Sequence, residues 1–204
     1  EVTDALIAED QAAKLAEERG DWLVANELYY RLNLLFDEDK RYQDDLDRQS
    51  SRLAMIRMYA PERFWTLRND RRIAEGLSAL PAYNPTADGW ETKTEGISWP
   101  MVAGALQRSA ERYVERDRAG MKEMVIGGLE GVKTLAELPD VRGVFQGLDG
   151  QARRSEFLDF LGAQIKAVAA APVRPCWYDI DRTLEAVMQV NRNTAMLPDA
   201  ALLH

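Results

Sequence analysis

Apolar positions recur every three or four residues along much of the chain. Val102, Leu106, Ala110 and Tyr113 make one stripe, and Met121, Val125, Leu129, Val132 and Leu135 a second. Phe157, Leu161, Ile165 and Val168 make a third, and Ile180, Leu184, Val187 and Met188 a fourth. This spacing follows the 3.6-residue turn, so each stripe predicts an amphipathic helix with one face turned to a core. Alternating runs rich in Val, Ile and Thr, the mark of half-buried strands, are missing from the sequence. The fold class read from the pattern is all-α, a helical bundle assembled from hairpins.

Glycine and proline set the expected boundaries. Thr3 or Asp4 caps a first helix running to Arg19, and Gly20 stops it by taking the left-handed conformation. Asp21 caps a second helix from Trp22 to about Phe36. Asp37-Glu38-Asp39 reads as a turn and the acidic start of a third helix, which continues to about Tyr59. Pro61 suits the first turn of a fourth, carrying Phe64, Trp65 and Leu67. Leu77 and Leu80 are placed on a short helix ended by Pro81. Pro81, Pro85, Gly89 and Gly96 then break the polar stretch around Asn84 to Trp90, which reads as a loop that Trp90 pins to a neighbouring surface. Ser98 caps the helix after it, Pro139 ends the 121–135 helix, and Pro172 and Pro175 make a stiff connector. Ala200 to His204 begin one more helix after Pro198.

The run Gly20-Asp21-Trp22-Leu23-Val24-Ala25-Asn26-Glu27-Leu28-Tyr29-Tyr30-Arg31-Leu32 resembles the second half of a tetratricopeptide (TPR) repeat. Gly20 allows the tight turn. Ala25 lets two helices approach closely, with Ala12, Ala13 and Ala16 as small residues on the helix before, and Tyr29 and Leu32 fill the groove of the next helix. One such repeat is visible, so a single TPR-like hairpin is expected rather than an array, which needs about three repeats. The expected organisation is a TPR-like hairpin subdomain over 1–80, a loop over 81–98 and a second helical subdomain over 99–204.

Charge narrows the partners. The net charge is -8, and all of it lies in residues 1–50, where 14 Asp and Glu face 6 Lys and Arg. Such an acidic stretch argues against nucleic acid and anionic membrane surfaces as partners and otherwise reads as a solvated helical face. No window approaches 18 uninterrupted apolar residues, so no membrane-spanning segment is expected. Glu1-Val2-Thr3-Asp4 has neither an initiator Met nor the basic start and apolar run of a signal peptide. With the apolar turn at Ala200 to Leu203, this leads us to expect a segment of a longer protein.

The residue inventory yields no candidate catalytic, cofactor-binding or metal-binding residue. Cys176 is the only cysteine and His204 the only histidine, which leaves no internal disulfide, no His-based metal motif and no Ser-His or Cys-His catalysis. Cys176, between Pro175 and Trp177, reads as a buried apolar residue. No phosphate-binding Gly-x-x-x-x-Gly-Lys loop occurs. Gly127, Gly128 and Gly131 read as helix glycines that permit close helix packing. Arg68, Arg71 and Arg72, and the row Arg108, Arg112 and Arg116 beside Glu111 and Glu115, read as salt-laced exposed faces. Trp22, Trp65, Trp90, Trp99 and Trp177 read as core or junction anchors.

Three runs carry a family resemblance: Met124 to Val132 (MVIGGLEGV), Leu138 to Leu148 (LPDVRGVFQGL) and Asn191 to Leu203 (NRNTAMLPDAALL). They are similar to the helical regions that precede the peptidase core in bacterial C-terminal processing, or tail-specific, proteases, the Ser-Lys proteases of family S41. The resemblance implies a non-catalytic N-terminal helical domain that positions substrate tails or partner subunits, or mediates dimerisation, in a serine endopeptidase of the periplasm or cell envelope. The family's small-residue stretch around its catalytic serine has no counterpart here, so no peptidase residue is carried over. A stand-alone helical-repeat adaptor that binds a protein or peptide is a second expectation, and a concave groove with exposed aromatic, Asn or Arg side chains would mark it; an independent enzyme is a third, which a deep pocket with converging carboxylates would mark.

Overall fold

The computed structural model describes residues 2–85, 89–112, 120–171 and 177–204, with the side chains of 2, 3, 177 and 178 outside the description. The protein is all-α. Ten helices and two short 3-10 turns form among the described residues, without a strand. They divide into two units, Glu1–Ala87 and Asp88–His204.

The first unit contains α1 (Val2–Glu18), α2 (Trp22–Leu35), α3 (Gln43–Tyr59) and α4 (Pro61–Ala74). Each packs on the next, and α2 also touches α4. Gly20 has φ of +72°, and two bonds close the end of α1: Gly20 N donates to Glu17 O at 3.0 Å and Asp21 N to Ala16 O at 2.9 Å. This is the glycine-dependent helix stop known as the Schellman motif. Asp21 then caps α2 by accepting from Val24 N at 3.4 Å. Ala13 and Ala25 are fully buried and Ala16 nearly so, with Tyr29 and Leu32 buried beside them. Ala12, expected among the small contact residues, is exposed. Leu6, Leu28, Phe36 and Leu46 pack around the cluster of Ala13, Tyr29, Leu32 and Tyr42. Cross-links from Asn26 to Ser50 and from Asn33 to Gln43 run in opposite senses along α2 and α3, so these two helices are antiparallel.

Two expected boundaries are corrected. Asp37 to Asp39 do not start α3. Residues 36–42 form turns, Lys40 takes φ of +49°, and the helix begins at Gln43 with Asp44 and Asp45 in its first turn. Leu77 and Leu80 are not helical. Gly76, at φ +74°, ends α4 with a second Schellman pair, Gly76 N to Ile73 O at 3.0 Å and Leu77 N to Arg72 O at 2.9 Å. The segment that follows is strapped to α4 by side chains. Asn69 Oδ1 accepts from Leu80 N at 2.8 Å, Arg72 Nε donates to Ser78 O at 3.0 Å, and Trp65 Nε1 donates to Pro81 O at 3.0 Å. Tyr83 lies against the Trp65 ring, centroids 6.4 Å apart.

The second unit holds α5 (Trp90–Thr94), α6 (Trp99–Arg112), α7 (Met121–Glu137), 3-10 turns at Pro139–Val141 and Gln146–Leu148, α8 (Gln151–Ala170), α9 (Trp177–Asn193) and α10 (Asp199–Leu203). The expected loop at 81–98 therefore contains a helical turn, α5, which packs on α10. Its Trp90 is buried and meets Phe145 edge-on, centroids 5.4 Å apart. Helices α7 and α8 form an antiparallel hairpin. Lys122, in the first turn of α7, donates to Ala169 O and Ala171 O at the end of α8, where a cation suits the helix dipole. Trp99 joins α6 to α9 through Asp181 Oδ1 at 2.7 Å. Val102, Leu106 and Ala110 on α6 are half-buried, whereas Leu129, Leu135, Phe157, Leu161, Ile180 and Val187 are buried. Tyr113, Glu115, Arg116, Pro172, Pro175 and Cys176, and the Trp177 side chain, lie outside the described residues.

Two of the three helix glycines, Gly127 and Gly128, also need correction. Gly127 and Gly128 are exposed, and a Cβ added at either would meet nothing within 4 Å. Among the described residues no neighbour requires them to be glycine. The close approach lies instead at Gly147, where an added Cβ would overlap the Ala195 carbonyl oxygen and stand 2.7 Å from its carbon. The turn facing Gly147 is clasped by Asn191, which is buried. Its amide donates to Leu197 O at 2.8 Å and accepts from Leu197 N at 2.9 Å, while its backbone carbonyl accepts from Met196 N at 2.7 Å.

Candidate functional site

The α1–α2 turn, α2 and α4 enclose an open groove of about 560 Å³ within the first unit. Two helix faces make its walls. Val24, Glu27, Leu28 and Arg31 lie at i, i+3, i+4 and i+7 on α2; Arg63, Leu67, Asp70, Arg71 and Ala74 follow the same period on α4, with Glu75 just after it. Arg19, Gly20 and Asp21 form the turn end. Leu67 is buried.

One charged pair, Glu27–Arg71, ties the two walls together. Glu27 accepts from Arg31 one turn later and from Arg71 across the groove. Arg71 Nε also donates to Glu75 at 2.9 Å. The Arg71 hydrogen bond is the largest influence on Glu27 and holds its carboxyl below the usual range, with Arg31 adding to the effect against a smaller opposing cost of burial. Arg71 is held above its ordinary value, chiefly by Glu75 and then by Glu27.

Apart from the groove lining, a second polar knot joins three helices of the first unit. Glu17 on α1 accepts from Arg48 Nε at 3.3 Å and Nη2 at 3.1 Å, from Arg52, and from the Tyr29 hydroxyl at 3.4 Å. Burial works to raise the Glu17 pKa, but the hydrogen bonds from Arg48 and Arg52 together prevail and hold it low. Burial, then the Glu17 charge, pushes Tyr29 up to about 12. The Arg52 guanidinium sits 5.0 Å from the Trp22 ring centroid, a cation–π contact.

The Arg68, Arg71 and Arg72 cluster is dispersed in the fold. Arg71 enters the groove, Arg68 lies 6.0 Å from the Phe64 ring centroid, and Arg72 holds the strap at Ser78. Arg108 and Arg112 are exposed on α6 in the other unit, where Glu111 accepts from Gln107 at 3.0 Å. Sequence reasoning did not single out Arg19, Arg63 or Asp70. One wall was legible, because the 20–32 run supplies it and Glu27 and Arg31 have the spacing of a helical ion pair. The other wall becomes adjacent only when α4 folds back onto α2.

The groove lining has no Ser, Thr, Cys, Lys, His or Tyr, and its ionisable groups are the carboxylates of Asp21, Glu27, Asp70 and Glu75 and the guanidinium groups of Arg19, Arg31, Arg63 and Arg71. Among the described residues no group of three or more His, Cys, Asp and Glu is placed to hold a metal ion. Among the described residues no helix is long and apolar enough to cross a membrane. Compared with known proteins, the chain matches no family model, no curated protein and no solved structure.

Proposed function

We propose that the first unit is a protein-interaction module that receives a peptide segment of a partner in the groove between α2 and α4. The observation that carries this reading is the groove itself, open, flanked by two helices and lined by Arg19, Arg31, Arg63 and Arg71 around Val24, Leu28 and Leu67. Two rigid helix faces hold such a surface ready-formed, which lowers the ordering cost of binding. The test is peptide selection from a random displayed library on the 204-residue chain, followed by Ala74→Trp, which fills the groove from an exposed position. Selected peptides should lose about tenfold or more in affinity. Selections that yield nothing, or peptides indifferent to Ala74→Trp, would sink the reading.

The setting we propose for this module is the N-terminal helical region of an S41 tail-specific protease in the periplasm or cell envelope. There it would position substrate tails or subunits relative to a distant Ser-Lys site. The support is the set of runs 124–132, 138–148 and 191–203. Reading the gene past the His204 codon tests it: a PDZ-like segment and a Ser-Lys peptidase are expected, and a stop codon would leave a stand-alone adaptor.

A further inference from the structure

Glu27 on α2 and Arg71 on α4 join the two walls of the groove, and each is also paired along its own helix. Glu27 accepts from Arg31, and Arg71 Nε donates to Glu75 at 2.9 Å. Both of these pairs have i, i+4 spacing, so they persist whether or not the wall-to-wall bond is made. Breaking that bond therefore leaves neither charge alone. Water also reaches it, because 29% of the Arg71 side chain and 30% of the Glu27 side chain are exposed. Sharing weakens the bond as well. Arg31 and Arg71 converge on one carboxylate and repel each other, as Glu27 and Glu75 do at one guanidinium. Opening relieves both repulsions while the two helix pairs stay in place and α4 keeps its packing on α3.

We infer that Glu27 and Arg71 form a latch across the groove. Closed, the pair bridges α2 and α4. Open, Glu27 falls back on Arg31 and Arg71 on Glu75, and the width between Val24 and Leu28 on one wall and Leu67 on the other is free for an occupant. That the occupant is a peptide rests on the reading above, whereas the latch rests on the four charges alone. The lining as a whole carries four guanidinium groups and four carboxylates, so the device works through how charges are partnered and not through their sum.

A double-mutant cycle of Glu27→Gln and Arg71→Gln, read by urea unfolding of the 204-residue chain, tests the latch without any ligand. In the wild-type background the coupling should change the unfolding equilibrium constant by less than about twofold, because each charge keeps its helix partner. With Arg31→Gln and Glu75→Gln also in place those partners are lost, and the coupling should grow by about threefold or more. A smaller rise, or a fall, would overturn the latch. Peptides selected on the wild-type chain then read its effect on entry. Their association should quicken by about threefold or more in Arg71→Gln, where nothing bridges the walls, and slow in the chain carrying Arg31→Gln and Glu75→Gln, where opening strands both charges. Unchanged or slower association in Arg71→Gln would overturn the latch and leave the peptide-binding reading standing. A library that yields no peptide would sink that reading alone, with the unfolding cycle still deciding the latch.

Discussion

Gly147→Ala adds one carbon to the 3-10 turn Gln146–Leu148, and the structure leaves no room for it. The Cβ would overlap the Ala195 carbonyl oxygen, stand 2.7 Å from the carbonyl carbon and 3.1 Å from Met196 Cβ. These obstacles are mostly backbone, so no rotamer change relieves them, and the chain would have to retreat by about an ångström. That movement pulls on the bonds that shape the turn, from the Asn191 side chain to Leu197 and from Met196 N to Asn191 O. Breaking two of them beside buried Asn191, Ala195 and Leu197 leaves polar groups without water, at about 1–3 kcal/mol each. With overpacking of similar size, the expected loss is about 3 kcal/mol or more. Urea unfolding followed by circular dichroism measures it, and hydrogen exchange at Leu197 N localises it. A loss below about 0.5 kcal/mol, within the range of an ordinary surface substitution, would refute the close-approach reasoning.

Four further outcomes are expected. Gly127→Ala and Gly128→Ala should each stabilise by about 0.5–1 kcal/mol in the same urea assay, because the added methyl groups enter open space on a helix and only backbone entropy changes; a loss would show a hidden contact. Ala25→Trp, at a fully buried position, should cost about 1–3 kcal/mol or more, and an unchanged melting temperature would refute the packing of the first hairpin. Gln49 is fully buried on α3, and neither its amide nitrogen nor its oxygen has a hydrogen-bond partner among the described residues, so Gln49→Leu should be neutral or stabilising; clear destabilisation by urea titration would show that the amide is satisfied. Glu17 and Glu27 are depressed below the ordinary value of 4.5, so their contribution is present above that pH and lost as pH falls through their folded values. Denaturation midpoints should drop on acidification below 4.5, and Glu17→Gln should flatten that drop; an unchanged slope would contradict the Glu17 knot.

The helix stops that depend on local chemistry were legible. Gly20, Asp21, Pro61 and Pro139 act within a turn or two of their own positions, and each lies at the boundary its chemistry implies. Lys40 was not legible, because a non-glycine residue takes positive φ there only under constraint from the surrounding turns. Gly76 was overlooked because the apolar pair Leu77 and Leu80 suggested a short helix ended by Pro81, whereas α4 offers side chains that take up the following backbone groups. The glycines show the same limit. A helix position reads alike whether or not another chain segment passes close by, so Gly127 and Gly147 cannot be ranked until the fold brings Ala195 to one and nothing to the other. For the same reason only the α2 wall of the groove was foreseeable.

The strap along α4 bears on how this protein meets proteases. An irregular surface stretch is ordinarily the first place to be nicked, because it can be drawn out into an enzyme's cleft at small cost. Between Ser78 and Pro81, however, the main chain is held at three successive points by Arg72, Asn69 and Trp65 of the neighbouring helix. Drawing it out requires those bonds to open together, so this irregular stretch behaves as an extension of the helix it follows.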